Sequence, residues 1–425
     1  MRAIVADDRI RARKYVFDSE NKSVEYVNGT TNRINLANNP RFTNTSGTVE
    51  VRRNYFANPR GENSTAWATF AGVSGVTTHT GITGITDHPV GISTARRVTW
   101  TTGTTSASGG VFCGNNVASP VTAGLTYTAS IWVRPSITQN ILPGIDWKRA
   151  DYTTSSLTYG AFTNVPAGKW TRLSVTGVAP ADATYMYITA YVGGAGAPWP
   201  TGATLDVTGA LLDKTPTVLD YFDGSYSPDP DLSPVWVGTA NASQSYLRGF
   251  VPKNISAYSS FAVASSYGMR MIPNKSADNN SRTRVGGLSS GLSGNGVTFT
   301  PGKWYGFQAV CTLLAPQTGS INSSARTMQL ASNKINGWTD SRNVSSSQPP
   351  NEAGSYHEEL VAQLPTDSVW ASLYLCNGAS FGGGDVYWDK LLIVEGDTEE
   401  EVRRKLAQGY FDGDTQVNAE TINNL

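Results

Sequence analysis

Apolar and polar residues alternate along short segments of this chain, most clearly in residues 125–134. One side of that segment carries the apolar residues Tyr127, Ala129, Ile131 and Val133. A period of two residues is typical of a β-strand with one buried face. Residues 185–192 are almost continuously apolar, which predicts a central strand of the same sheet system. The pattern therefore predicts an all-β protein.

Several phrases occur twice and indicate two related modules. Tyr-Phe-Asp-Gly stands at residues 221–224 and at 410–413, each time after a strand-like run that contains a Leu-Leu pair. Separately, residues 35–42 resemble residues 54–62, since both place a hydrophobic pair before an Asn-Pro turn, and the proline marks a strand end. The predicted organisation is a basic β arm at 1–49, a β-sandwich at 50–220, an ordered connector at 221–249 and a second β-sandwich at 250–425.

One helix is predicted within the second module, as an insertion over residues 398–408. Thr398 is a good N-cap, and Glu401 three residues later completes a capping box. Glutamates and basic residues follow at a spacing of four, which stabilises a helical turn, and Gly409 can end it.

Composition narrows the class of protein. Charged residues make up only 16% of the chain, glycine is abundant, and the net charge is zero. Residues 1–60 nevertheless carry 11 Lys and Arg against 6 Asp and Glu. A basic arm on an acidic body predicts docking to an acidic partner. The arm lacks an aromatic platform or a recognition helix, so a protein partner is favoured over nucleic acid.

Targeting and redox signals are weak. No apolar run is long enough to span a membrane, and the first residues do not resemble a signal peptide. The three cysteines are widely spaced and form neither a disulfide framework nor a zinc motif. These features predict synthesis in a reducing compartment.

The order of the short phrases resembles minor tail proteins of siphophages that infect actinobacteria. The phrases are residues 54–62, Tyr-Phe-Asp-Gly at 221–224, Trp-Val-Gly-Thr-Ala-Asn-Ala-Ser at 236–243, and Tyr-Phe-Asp-Gly-Asp-Thr at 410–415. The modules themselves resemble the carbohydrate-binding jelly rolls that are appended to xylanases and glucanases. The resemblance implies a virion protein of the phage tail, made in the host cytoplasm. It also implies host cell-wall polysaccharide and other tail proteins as partners, the latter through the arm, and a homotrimeric state.

A glycan-binding face needs exposed aromatic residues beside planar polar groups. The candidates in the first module are Trp132, Arg134, Asp146, Trp147, Tyr152 and Trp199. The resemblance further implies a structural calcium, for which Glu62 and Asp206 are the candidate ligands.

No catalytic fingerprint is present. The chain has three histidines and no nucleophile elbow, P-loop or dinucleotide motif. We therefore expect no enzymatic activity. Two alternatives stay open: a purely architectural tail adaptor or spacer without glycan binding, and a polysaccharide depolymerase that uses two carboxylates on a jelly-roll scaffold.

Overall fold

A computed structural model describes most of the chain. The described residues are 14–18, 23–27, 36–37, 41–62, 66–114, 119–194, 196–252, 256–258, 260–273, 281–288, 297–316, 328–333, 341–347, 350, 352–377 and 385–407. The chain divides into two compact units, residues 50–248 and residues 1–49 together with 249–425. The predicted division differs, because it treats residues 1–49 as a separate arm.

Residues 50–248 are built from short strands. A hairpin of β1 (Lys14–Asp18) and β2 (Ser23–Val27) precedes them. The following strands are β3 (Thr45–Asn54), β4 (Trp67–Phe70), β5 (Val76–Thr83), β6 (Thr94–Thr102), β7 (Gly110–Cys113), β8 (Ser119–Pro120), β9 (Thr126–Pro135), β10 (Gln139–Lys148), β11 (Thr154–Tyr159), β12 (Thr163–Val165), β13 (Thr171–Val178), β14 (Tyr185–Val192), β15 (Thr204–Asp213), β16 (Ser233–Trp236) and β17 (Ser245–Pro252).

Two antiparallel sheets enclose the core of this unit. One has the order β11-β10-β14-β7-β4, with β12 beside β10 and β8 beside β14; the other has the order β13-β9-β15-β6-β5. The inward residues of β9 are Tyr127, Ala129, Ile131 and Val133, as their alternation predicts. They pack in one cluster with Ile145 and Ile188 of the facing sheet. The residues of β9 that alternate with these point to the outer side of their sheet.

Residues 249–425 contain two further five-stranded sheets. Their strands are β18 (Ser256–Tyr258), β19 (Ser260–Ser265), β20 (Gly268–Pro273), β21 (Ser281–Leu288), β22 (Trp304–Leu313), β23 (Met328–Asn333), β24 (Ser341–Ser347), β25 (Gly354–Gln363), β26 (Trp370–Asn377) and β27 (Val386–Gly396). The sheet orders are β18-β21-β26-β23-β24 and β25-β22-β27-β20-β19.

The two units have the same strand order. The sheet β24-β23-β26-β21-β18 corresponds to β11-β10-β14-β7-β4, and β25-β22-β27-β20-β19 corresponds to β13-β9-β15-β6-β5. Even the bulge in the central strand recurs, with Gly209 in β15 and Lys390 in β27 at positive φ. The predicted all-β class, with two β-sandwich modules of the jelly-roll type and one short C-terminal helix, is confirmed.

The two similar Asn-Pro phrases open different units. The backbone N–H of Tyr55 donates to the carbonyl of Leu212 at 3.0 Å, and that of Leu36 donates to Ile393 at 2.9 Å. Ala37 and Phe42 belong to the core cluster of residues 249–425. Residues 50–248 are therefore an insertion in the chain of the other unit, between its residues 1–49 and its residues 249–425.

The predicted helical insertion is α1 (Glu399–Leu406). The Thr398 hydroxyl accepts from the backbone N–H of Glu401 at 3.2 Å. Arg403 donates to Glu399 and Lys405 pairs with Glu401, each at a spacing of four residues. Val402 and Leu406 are buried against β27. Among the described residues, this eight-residue helix is too short to cross a membrane, and no other α-helix occurs.

The first Tyr-Phe-Asp-Gly is a buried turn. Asp223 accepts two hydrogen bonds from Arg60, at 2.6 and 2.9 Å, one from the Tyr221 hydroxyl at 2.7 Å and one from the backbone N–H of Ser225 at 2.8 Å. These hydrogen bonds tie the motif to Arg60, near the start of the first unit. The second copy, residues 410–413, lies outside the described residues.

Candidate functional site

The outward side of β14 is lined by tyrosines. Met186, Ile188, Ala190 and Val192 point into the core. The alternate residues Tyr185, Tyr187, Thr189 and Tyr191 therefore face outward. Since β14 is the central strand of its sheet, this row lies in the middle of the sheet's outer surface.

The strand next to β14 places its polar residues beside these tyrosines. In the register of β10 and β14, Asp146 lies opposite Tyr187 and Lys148 opposite Tyr185. Gly144 lies opposite Thr189 in the same register. Ile145 and Trp147, the residues between them, belong to the core cluster. The β10 sequence thus supplies both the core and the polar positions of the outer surface.

Further aromatic residues complete the surface on both sides. Tyr159 of the edge strand β11 is 48% exposed, and Phe70 of β4 is 47% exposed. Phe112 of β7 lies opposite Thr189, and its ring contacts Phe70 edge-on at 6.4 Å between centroids. We call this outer surface, lined by Phe70, Phe112, Tyr159, Tyr185, Tyr187 and Tyr191, the aromatic face.

The rings are held in defined pairs. Tyr152 stacks on Tyr185 with centroids 5.2 Å apart and an interplanar angle of 10°. Tyr159 meets Tyr191 edge-on at 5.8 Å. Tyr152 has a φ of 64°, a left-handed conformation that non-glycine residues adopt rarely. That strained turn places its ring beside Tyr185 at one end of the aromatic face.

Glycines make room for two of these rings. A Cβ on Gly144 would lie 3.1 Å from the ring of Tyr159 and 2.5 Å from Thr189 Oγ1. A Cβ on Gly114 would lie 2.6 Å from the ring of Tyr187. The missing side chains therefore let Tyr159 and Tyr187 lie close to the backbone of the sheet.

The charges of the face cancel within it. Lys148 Nζ lies 2.7 Å from Asp146 Oδ2 and 5.0 Å from the centroid of the Tyr187 ring. Burial raises the pKa of the Tyr187 hydroxyl, and the nearby Tyr152 and Asp146 raise it further. Burial also raises the pKa of Tyr191, as does its hydrogen bond with Tyr159. Both phenols are neutral hydrogen-bonding groups at ordinary pH.

Two polar atoms on the face have no hydrogen-bond partner. They are Asp146 Oδ1 and Thr189 Oγ1. The residues are 7% and 2% exposed, and Tyr159 lies over Gly144 beside Thr189. An unpaired buried polar atom costs about 1–3 kcal/mol. Both atoms lie on the outward side of adjacent strands, so the hydroxyl groups of a ligand are suitable partners for them, for Thr189 Oγ1 once the Tyr159 ring moves aside.

The sequence placed two of its six ligand-binding candidates here. Asp146 lies on the aromatic face and Tyr152, 51% exposed, at its end. The tyrosines of β14 were missed, because residues 185–192 were interpreted only as an apolar core strand. Their spacing of two was the signal that could have identified an outward row.

Trp147 and Trp199 are wrong as ligand contacts, because both are 0% exposed. Trp147 points into the core from β10, and its indole N–H donates to Thr158 Oγ1 at 2.8 Å. Trp199 stacks on Trp100 with centroids 4.0 Å apart. The Pro-rich loop around Trp199 therefore directs its side chain inward, where it fills the core.

Trp132 and Arg134 lie on the outer surface of the other sheet. Arg134 donates to Asp206 at 2.9 Å and to Asp87 at 2.8 Å, and its guanidinium lies 4.6 Å from the Trp170 ring centroid. Trp132 contacts the ring of His88, which also contacts Trp170. Since the polar groups of Arg134 are engaged by two carboxylates, this cluster stabilises the fold, and the aromatic face is the stronger site.

The calcium prediction does not fit the carboxylates found. Asp206 accepts from Arg97 at 2.6 and 2.9 Å and from Arg134, so two guanidinium groups occupy its oxygens. Glu62 accepts from Thr94 at 2.9 Å and from Asn241 at 2.7 Å. Across the part of the chain that the structure describes, no cluster of three or more His, Cys, Asp or Glu could hold a metal. The engaged oxygens of Asp206 and Glu62 therefore do not fit a calcium site in this arrangement, and the calcium stays a prediction.

Comparison with known proteins yields matches among solved structures alone. No protein-family model and no curated protein matches the chain. The N-terminal CBM22-1–CBM22-2 tandem domain of Paenibacillus barcinonensis Xyn10C is 9% identical, with a TM-score of 0.27, over 84% of this chain and 99% of that one. A family 11 carbohydrate-binding module from Clostridium thermocellum, in complex with a β-1,3-1,4-mixed-linked tetrasaccharide, is 12% identical, with a TM-score of 0.27, over 40% and 100%.

A phage protein is also among the similar structures. The enzymatically active domain of bacteriophage CBA120 tailspike protein 4 is 14% identical, with a TM-score of 0.28, over 37% of this chain and 21% of that one. The similar region thus spans about a fifth of the tailspike chain. At these TM-scores the likenesses carry no functional argument, which has to come from the aromatic face itself.

Proposed function

We propose that residues 50–248 form a carbohydrate-binding module whose ligand lies on the aromatic face. The observation that carries this proposal is the combination of half-buried and exposed tyrosines with two unpartnered polar atoms on one sheet surface. The C–H side of a sugar ring stacks on a tyrosine ring, and its hydroxyls form hydrogen bonds with Asp146 Oδ1 and Thr189 Oγ1. A ligand with few hydroxyls would leave these atoms unpaired.

We further propose that the whole chain is a virion protein of a phage tail. The support is the order of the short phrases at residues 54–62, 221–224, 236–243 and 410–415. In this role the module contributes to recognition of host cell-surface polysaccharide. Individual contacts are weak, and several copies on one tail multiply them. The expectations of a docking arm, a homotrimer and synthesis in the host cytoplasm belong to the same proposal.

We propose binding without catalysis. Hydrolysis of a glycosidic bond by the common mechanism needs two carboxyl groups on either side of the bond. The strands that form the sheet of the aromatic face contain one carboxylate, Asp146. That carboxylate pairs with Lys148 at 2.7 Å. The depolymerase alternative therefore has less support than binding alone.

The test uses the full chain and polysaccharide from actinobacterial cell walls. Tyr185→Ala and Tyr191→Ala each remove a ring from the aromatic face, and each should weaken binding about 2- to 10-fold, as expected for the loss of one aromatic contact. Affinity electrophoresis in gels containing the polysaccharide measures the change. Tyr267→Ala is the matched control, because Tyr267 is 52% exposed and lies in the other unit.

Each outcome distinguishes between the functions. If the wild-type chain binds no wall polysaccharide but binds purified tail proteins, the architectural role replaces glycan recognition. If reducing ends are released from the polysaccharide, the depolymerase replaces it. If all three tyrosine variants bind like the wild type, the aromatic face is not the site.

A further inference from the structure

The aromatic face contains one positive and one negative charge, and they neutralise each other. Lys148 and Asp146 are the only charged residues in the strands β4, β7, β8, β10, β11, β12 and β14. Their side chains are 11% and 9% exposed and 2.7 Å apart. A ligand therefore meets an ion pair that is largely buried.

The lysine has its partners within the protein. In addition to Asp146, Lys148 Nζ donates to Thr154 Oγ1 at 2.8 Å and lies over the Tyr187 ring. A carboxylate, sulfate or phosphate on a sugar needs a free cation, usually a forked arginine or a lysine. Lys148 is not free to act as that cation unless Asp146 releases it.

The open acceptor on the face is negative. Asp146 Oδ2 pairs with Lys148, whereas Oδ1 has no partner. Oδ1 would attract a hydroxyl hydrogen and repel an anionic substituent. The turn at this end of the face adds no free cation, since Arg149 pairs with Asp182 at 2.7 Å. Asp151, one residue before Tyr152, is a further exposed acid.

We propose that the aromatic face selects uncharged polysaccharide and rejects acidic polysaccharide, and that Asp146 enforces this choice by holding Lys148. This inference rests on the proposed function and specifies its ligand class. Binding through rings and hydroxyls should also depend little on ionic strength, because no net charge is neutralised when the ligand binds.

The experiment separates host cell-wall polysaccharide into two probes by anion exchange. The fraction that passes through the column is neutral, and the retained fraction is acidic. The full-length chain should bind the neutral fraction at least about tenfold more tightly, since a like charge near Asp146 is unfavourable. Its affinity for the neutral fraction should be unchanged between low and moderate salt.

The Asp146→Asn variant tests the mechanism. The amide keeps an acceptor oxygen but no longer neutralises Lys148, so affinity for the acidic fraction should rise and become salt-dependent. Asp397→Asn is the matched control, because it releases Lys303 from an exposed Asp–Lys pair in the other unit. The control should bind both fractions like the wild type.

The possible failures can be told apart. If neither fraction binds, the proposed function fails and this inference with it. If the acidic fraction binds as well as the neutral one, or if wild-type binding weakens strongly with salt, only the selection for uncharged glycan is overturned. The salt dependence of the wild type keeps the inference testable if Asp146→Asn does not fold.

Discussion

At the residue scale, His88 gives the first unit a predictable pH dependence. Its ring lies between Trp132 and Trp170 and is 6% exposed. Burial lowers the pKa of His88 to about 4; the neighbouring Asp87 opposes the shift and Arg134 adds to it. The unfolded chain binds the proton near pH 6.5, whereas the folded chain resists it.

The contribution of neutral His88 to the free energy of unfolding should therefore be fully present above pH 6.5. It should be lost as the pH drops toward 4, which lowers the free energy of unfolding by up to about 3 kcal/mol. Urea unfolding at several pH values measures this loss. His88→Phe should reduce the dependence on pH, because the unfolded state then has no proton to gain at this position; His79, whose pKa burial and Arg96 also lower, keeps part of it. His357→Gln, a change at an exposed histidine of the other unit, should leave the dependence in place. A flat profile for the wild type would contradict the prediction.

Residue types and spacing predicted part of the site. Asp146 lies on the aromatic face and Tyr152 at its end, and their role in binding stays a prediction. Trp147 is wrong as a ligand contact, because it is the one residue between Asp146 and Lys148 that points inward. Whether the odd- or the even-numbered residues of a strand face the core depends on the facing sheet. A segment with polar and aromatic residues in both sets does not reveal which set faces inward.

At the scale of elements, α1 depends on its cap. The Thr398 hydroxyl accepts the otherwise unpaired N–H of Glu401. Thr398→Ala should destabilise the helix by about 1 kcal/mol. Hydrogen exchange of the amides in residues 399–406 should then speed up, whereas Thr398→Ser should preserve slow exchange. Equal exchange in both variants would show that packing of Val402 and Leu406 alone holds the helix.

Element type was predictable where the signal was local. The helix was found from its cap and charge spacing, and the strands from alternation and turn residues. The role of β14 was not found, since Tyr185, Tyr187 and Tyr191 count as apolar in any hydrophobic pattern. Only the sheet order makes this strand central and leaves its phenols on the outer surface.

At the scale of the whole molecule, the repeat of Tyr-Phe-Asp-Gly correctly indicated duplication but not the way the chain is shared. The two similar Asn-Pro phrases at residues 35–42 and 54–62 lie close together in sequence but join different units. Leu36 forms its hydrogen bond with Ile393, and Tyr55 forms the equivalent one with Leu212. Pairings between residues far apart in sequence cannot be predicted from the residues nearby. The two phrases predict the same kind of Asn-Pro turn whichever unit they join.

Because one unit is inserted in the chain of the other, a residue can lie close in sequence to one unit and stabilise the other. Phe42 lies eight residues before the unit of residues 50–248, yet it is buried in the core of the other unit. Phe42→Ala should therefore destabilise residues 249–425 by about 3–5 kcal/mol. Phe56→Ala, a matched loss of a buried ring in the first unit, should destabilise residues 50–248 instead. Hydrogen exchange read separately on β14 and β26 reports each unit, so faster exchange in β14 of the Phe42→Ala variant would contradict the nested arrangement.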